Sequence, residues 1–179
     1  MSTLNSVLGV NDIKEQITTG HALFKRICQR AEDLRLPYTV IEHSAVFTME
    51  QAIAEVPYPM DQQVKVLFDR AYTSTTRFTF RLVAWTGSER VDFAQLAKVI
   101  RATKVTLATP EDVKSQLHIE IGAMAPFGYD QTWAIVVDSR LLEQENLCIN
   151  PGLHDKTLVI RSQTFNELLK DSSQTITVI

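Results

Sequence analysis

One lysine stands inside a strand-like pattern. In "DQQVKVLF" the residues Val64, Val66 and Phe68 alternate onto one face and leave Lys65 and Leu67 on the other. A lysine beside leucine either lays its stem over apolar surface with the ammonium in water, or points into a cavity as a cation for a phosphate, a carboxylate or a polarised carbonyl. Further along, "GAMAPFG" sets Gly122, Pro126 and Gly128 directly ahead of an apolar run. Glycine lets another group approach the backbone, and proline fixes φ and removes a donor. The stretch is therefore either a structural turn or a loop that presents N–H groups to a ligand. A second turn-rich stretch, "INPGLHDK", carries Asn150, Gly152 and Asp155, and ordinary turn chemistry accounts for all three.

Other chemistries leave no trace. There is no Walker loop, dinucleotide fingerprint, HExxH or CxxC pair, and no GxSxG elbow of an acyl-enzyme hydrolase. His21, His43, His118 and His154 are too far apart in sequence to suggest a metal site. Cys28 and Cys148 lack metal-ligand spacing and read as free, packed thiols. A net charge of −3 excludes a broadly basic surface that coats nucleic acid, but leaves room for a local basic patch that receives one end of an RNA.

These residues need a frame to hold them. With 179 residues, 45% of them apolar, the chain suits one domain, 1–179, with a sizeable core. No apolar run nears the ~18 residues of a membrane span, and the N-terminus lacks the pattern of a signal peptide. The expectation is a cytoplasmic protein without membrane contact, and a monomer, since no exposed apolar helix is evident. Leu23, Ile27, Ala31 and Leu34 recur at helical spacing and predict a helix over 19–34. A strand follows Pro37, and Thr48 with Gln51 resembles a capping box opening a short helix. "VKVLFDRAY" and "RFTFRLVAW" read as a hairpin. Asp92 caps one helix, "VTLA" is a strand, and Thr109 with Pro110 opens another helix. Then come the strand "TWAIVVD", the turn "SRLLEQE", the strands "LCIN" and "KTLVIR", a helix starting at Ser162 or Thr164, and a closing strand "TITVI". Helices interspersed with hairpins predict a mixed α/β (α+β) fold rather than a doubly wound parallel sheet.

Four of these stretches, in order, resemble the YbaK/ProRS-associated family, free-standing relatives of the editing domain inserted in bacterial prolyl-tRNA synthetases. They are "YTVIEHSAVFTMEQA", "QQVKVLF", "GAMAPFG" with its G-x-x-x-P-F-G spacing, and "INPGLHDKTLVI", and the resemblance spans about Pro37 to Leu169. It implies a central mixed, curled sheet or partial barrel surrounded by helices. It also implies trans-editing: hydrolysis of the ester that joins a wrong amino acid to the 3′-terminal adenosine of a tRNA. Water is the nucleophile, the substrate's own ribose hydroxyl assists, and neither metal nor cofactor takes part. On this resemblance Lys65 and Gly122 carry the catalysis, while His43, Ala123, Pro126, Phe127, Gly128, Asn150, Gly152 and Asp155 bind substrate. The partners it implies are the acceptor end of a mischarged tRNA and an aminoacyl-tRNA synthetase. The acyl group expected is small: Ser, Ala or Thr. Two departures bear on that choice. "VPYPMDQQV" lacks the Gly-rich character common ahead of the family's lysine, and Asn150 stands where some alanine-specific members carry histidine. A second reading keeps the fold as a binding module for tRNA, a synthetase or a small acylated metabolite, without turnover. A third, an adaptor whose loops are only turns, is disfavoured by the retained lysine and loop spacing.

Overall fold

The computed structural model describes residues 10–172 and 174–179, with side chains from residue 19 onward. The helices are α1 (Val10–Asp33), α2 (Met49–Glu55), α3 (Phe93–Val99), α4 (Pro110–Leu117), α5 (Ser139–Leu142) and α6 (Ser162–Asp171). The strands are β1 (Tyr38–Glu42), β2 (Val64–Tyr72), β3 (Phe78–Thr86), β4 (Lys104–Leu107), β5 (Ala134–Val137), β6 (Asn146–Ile149), β7 (Lys156–Arg161) and β8 (Ile176–Val178). They form an antiparallel sheet, β1-β7-β6, and a larger mixed one, β4-β2-β3-β5-β8, in which β3-β5 and β5-β8 run parallel. The fold is thus mixed α/β as expected, with the strands divided between two sheets and no closed barrel among the described residues.

Local chemistry explains most boundaries. On α1, Leu23, Ile27 and Ala31 repeat every fourth residue and are buried. The helix starts well before residue 19 and stops where Arg35 adopts a left-handed φ of 56° and Leu36 N–H donates to the Ala31 carbonyl at 2.8 Å. Leu34 therefore lies beyond the helix and is exposed. Thr109 and Asp112 exchange hydrogen bonds in a capping box at the start of α4, and His118 ends it with φ 53°. The stretch "SRLLEQE", expected as a turn, instead begins with the single-turn helix α5, because the Asp138 carboxylate accepts from Arg140 N–H at 3.0 Å and caps it. A 3-10 turn at Met60–Gln62, ahead of β2, was not foreseen either.

The larger sheet is covered on both faces. Its main core takes side chains from α1, α4, α6 and both sheets, whereas Val83 and Val136 pack on the other side against Leu96 and Ala97 of α3. Leu67 joins this second cluster, so Lys65 belongs to the α3 side of the sheet, as alternation demands. Midway along the same side a charged pair is buried. Asp69 and Arg81 face each other across β2 and β3, and Arg81 grips the carboxylate through Nη2 at 2.8 Å and Nε at 3.2 Å. Burial pushes the Asp69 carboxyl up to about 6, against the pull of the guanidinium.

Folded Asp69 thus holds its proton to higher pH than the unfolded chain does, so its ionisation costs stability as pH rises from about 4 toward about 6. Without its partner that interval widens upward. Arg81→Met should destabilise by about 3–5 kcal/mol at pH 8, and the deficit should shrink as pH falls toward 5 and the carboxyl protonates. Urea melts across that pH range check this. A deficit independent of pH would show that the unpaired carboxylate is not the cause.

Candidate active site

β4 pairs with β2 only from Asp69 to Tyr72, so the first half of β2 has β3 on one side and no β4 on the other. There β6 approaches through a single bridge between Gln63 and Cys148. A cleft of about 230 Å³ opens along this edge. β2 contributes Val64 to Leu67, the approach to α2 contributes Phe47 to Met49, and the remaining walls come from Gly122, Met124, Asn150 and Thr157 among others.

The glycine loop divides its residues between two jobs. Gly122 has φ +89°, and a Cβ there would lie 3.3 Å from Cε1 of His154. Ala123 N–H donates to the Glu120 carbonyl at 3.0 Å, and Ala125 N–H to the Tyr129 hydroxyl at 3.0 Å. Neither donor is left for a ligand. Among the described residues the N–H groups of Gly122 and Met124, both at the cleft, have no protein acceptor. The rest of the loop faces inward. Ala123, Pro126 and Phe127 are buried, and the Phe127 ring packs on Phe165 at 5.8 Å. Gly128, φ +93°, is seated on α1, where a Cβ would come within 2.6 Å of Ile27 Cγ1. These four residues do not reach the cleft; they anchor the segment that does.

The closing turn is tied to the loop by one side chain. Asn150 Nδ2 donates to the Gly122 carbonyl at 3.1 Å, while its Oδ1 accepts from Gly152 N–H at 3.0 Å and Leu153 N–H at 3.2 Å. Gly152, φ +104°, lies against Gly20 of α1 rather than in the cleft. Asp155 is exposed, and only its carbonyl takes part, accepting from His43 N–H at 3.0 Å. The His43 ring has Nδ1 at 2.7 Å from the Ser44 carbonyl, which requires that nitrogen to donate. Nε2, 2.9 Å from Thr157 Oγ1, then accepts in the neutral ring, and the Thr157 hydroxyl keeps its lone pairs for the cleft.

Sequence reasoning missed His154, Glu120 and Phe47. His154 donates through Nδ1 to the Val46 carbonyl at 2.9 Å, with Nε2 at 3.0 Å from Glu120 Oε2 but poorly aligned for a hydrogen bond. Its ring also packs on that of Phe47 at 4.4 Å. The only signal was its place in the turn "PGLHD"; its partners come from two distant segments.

Lys65 lines the cleft and donates from Nζ to the Glu89 carbonyl at 2.5 Å. Burial, and secondarily the Arg90 guanidinium, lower its pKa. The turn carrying that carbonyl is clamped, since Gly87 N–H donates to the Gln63 carbonyl at 2.8 Å and Thr86 Oγ1 to the Asp61 carbonyl at 3.2 Å. Cys148 also lines the cleft, and burial pushes its thiol up to about 12. A larger groove of about 640 Å³ lies beside Trp85 and Arg140. None of the site residues expected from sequence lines it, and its Arg140 is held by Asp138 at 2.8 Å. The smaller cleft, where Lys65, Gly122 and Asn150 converge, is the better candidate.

The chain is 26% identical over 157 residues to the prolyl-tRNA editing protein ProX of Acetoanaerobium sticklandii, covering 86% of this chain and 94% of that protein. It is 25% identical over 150 residues to the multifunctional Ser/Thr-tRNA deacylase ProXp-y of Escherichia coli K12, covering 82% and 86%. The crystal structure of a candidate trans-editing enzyme for prolyl tRNA synthetase shares the fold, with a TM-score of 0.70 at 20% identity over 89% of this chain and 95% of that one. The family described as the aminoacyl-tRNA editing domain matches residues 43–168, a span that contains the cleft lysine, the glycine loop and the closing turn. This chain belongs to the aminoacyl-tRNA editing domain family.

Proposed function

We propose that the protein is a hydrolase acting in trans on mischarged tRNA, cleaving the ester between a small amino acid and the terminal ribose. The observation that carries this reading is the meeting, in one small cleft, of a cation, two backbone N–H groups without acceptors and a loop held by Asn150. An aminoacyl ester is already activated, so positioning and charge stabilisation suffice. Water attacks the carbonyl, and the neighbouring ribose hydroxyl of the substrate guides it. Negative charge then develops on the carbonyl oxygen, where the N–H groups of Gly122 and Met124 are the donors best placed to receive it; one such donor typically contributes about 3–4 kcal/mol. Lys65 holds the terminal nucleotide through oxygen atoms and neither attacks nor abstracts a proton. An amide on its Nζ would be a dead end.

Ser or Thr is the acyl group that the lining supports best, with Ala next. Thr157, Asn150 and Thr48 supply hydroxyl and amide groups for a substrate hydroxyl, while Met124 and Ile149 close the walls against longer side chains. The name of the ProXp-y relative points to the same pair of amino acids. A hydroxyl that the site hydrogen-bonds is discriminated far better than one extra methylene, worth only about 1–3 kcal/mol. A panel of mischarged tRNAs, followed by loss of the labelled amino acid, tests the reading. Ser- and Thr-tRNA should be cleared fastest. Faster clearance of Phe- or Tyr-tRNA would overturn the substrate assignment, and clearance of none would leave a binding module of the same fold.

Two substitutions separate the roles. Lys65→Ala should lower kcat/KM by about 10²-fold, on the order of 3 kcal/mol, whereas Lys65→Arg keeps the charge and should retain a partial rate. A wild-type rate for Lys65→Ala, or an acylated Lys65 in the mass spectrum, would refute this. Asn150→Asp preserves the acceptor for Gly152 and Leu153 N–H but replaces the donor to Gly122 with a repelling oxygen. Its melting temperature should stay within a few degrees of wild type while kcat/KM drops about tenfold or more, equivalent to roughly 1.4 kcal/mol.

A further inference from the structure

The protein is acidic overall, yet two stretches are wholly basic in their charges. Residues 70–81 and 98–110 contain six lysines and arginines and not one aspartate or glutamate. The fold brings them to the same end of the larger sheet. Tyr72, the last residue of β2, pairs with Phe78 on β3 and with Lys104 on β4, and its carbonyl accepts from Thr103 N–H at 2.8 Å. Arg101, in a left-handed conformation with φ 57°, turns the chain from α3 into β4 beside it.

Aromatic rings lie between the charges. Tyr72 and Phe78 are 5.3 Å apart, Arg70 lies over Phe78 at 4.8 Å, and Lys104 lies over Tyr72 at 6.0 Å. Two of the six cations are already neutralised, Arg81 by Asp69 and Arg70 by Asp112 at 2.6 Å. No ion pair among the described residues engages Arg77, Lys98, Arg101 or Lys104. Arg77, Arg101 and Lys104 are exposed, and the hairpin tip between them presents the hydroxyls of Ser74, Thr75 and Thr76. Four unpaired cations on a protein of net charge −3 form a local field of the wrong sign for its surroundings, and phosphate is the ligand that such a field fits.

We infer that this end of the sheet grips the phosphate backbone of the tRNA stem whose 3′ end enters the cleft. The inference rests on the deacylase reading for the identity of the RNA. Its geometry comes from β2, which carries Lys65 at one end and Tyr72 at the other. The seven-residue separation is about 23 Å at about 3.3 Å per strand residue. An unpaired 3′ end followed by the first base pairs of its stem covers that distance. Contacts to phosphates orient the stem and carry no base sequence, so the patch serves any tRNA with the correct acyl group.

The test uses the full chain with Arg77→Gln and Lys104→Gln combined; neither residue touches the cleft. Binding of uncharged tRNA is followed by fluorescence anisotropy over a salt series. Each lost phosphate contact should flatten the slope of log Kd against log salt by about one, so the double variant should lose about two. In parallel, kcat/KM for a mischarged tRNA should fall about tenfold at low salt, while turnover of a minimal aminoacyl ester of adenosine stays at the wild-type value. An unchanged salt slope overturns the inference, and so does an equal loss on tRNA and minimal ester. The binding arm does not depend on hydrolysis. A wild-type protein that cleaves neither substrate would defeat the deacylase reading while the salt slopes still decide the patch.

Discussion

Everything at the cleft depends on how closely α1 sits beneath two turns. A Cβ on Gly20 would lie 2.3 Å from the Gly152 carbonyl oxygen, and one on Gly128 would lie 2.6 Å from Ile27. Leu23, fully buried, is the neighbour that both Gly128 and Gly152 would strike. One leucine therefore sets the spacing between the glycine loop and the closing turn. Close packing of this kind tolerates little adjustment, and it is what brings Asn150 within reach of Gly122. Gly128 and Gly152, which look like ligand-binding residues in sequence, are the ones that let the helix approach.

The second organising part is β2. Lys65, Leu67 and Asp69 share one side of the strand, so a single register places the cleft cation, an α3 contact and the buried carboxylate together. A slip of one residue would turn Lys65 into the main core and separate Asp69 from Arg81, both at large cost. The buried pair contributes little net stability by itself, but it excludes the wrong pairing. The cation's place in the cleft is thus guarded by a charge pair that lies outside it.

Periodicity made most of the fold readable. The stripe on α1, the hairpin of β2 and β3, and the caps at Thr48, Asp92 and Thr109 all follow from residue types within a few positions of each other. Lys65 was visible because it broke a two-residue alternation, and the two turns because glycine, proline and asparagine cluster there. What could not be read was which side of each turn faces the cleft. Gly122 and Gly128 look alike in sequence and both have positive φ, but one opens on the cleft and the other on α1. The same limit hid His154, whose partners Val46, Phe47 and Glu120 are distant in the chain. Division of the strands into two sheets is also a long-range result, decided by β1 and β6 both pairing with β7.

The thiol of Cys148 gives the cleft an unexpected chemical quiet. A thiolate beside an aminoacyl ester would capture the acyl group as a thioester, and a reactive thiol would be open to oxidation. With burial pushing its pKa up to about 12, the thiol stays protonated near pH 7. The sulfur then acts as a small apolar wall. Burial thus turns a potential nucleophile into inert lining on this side of the cleft.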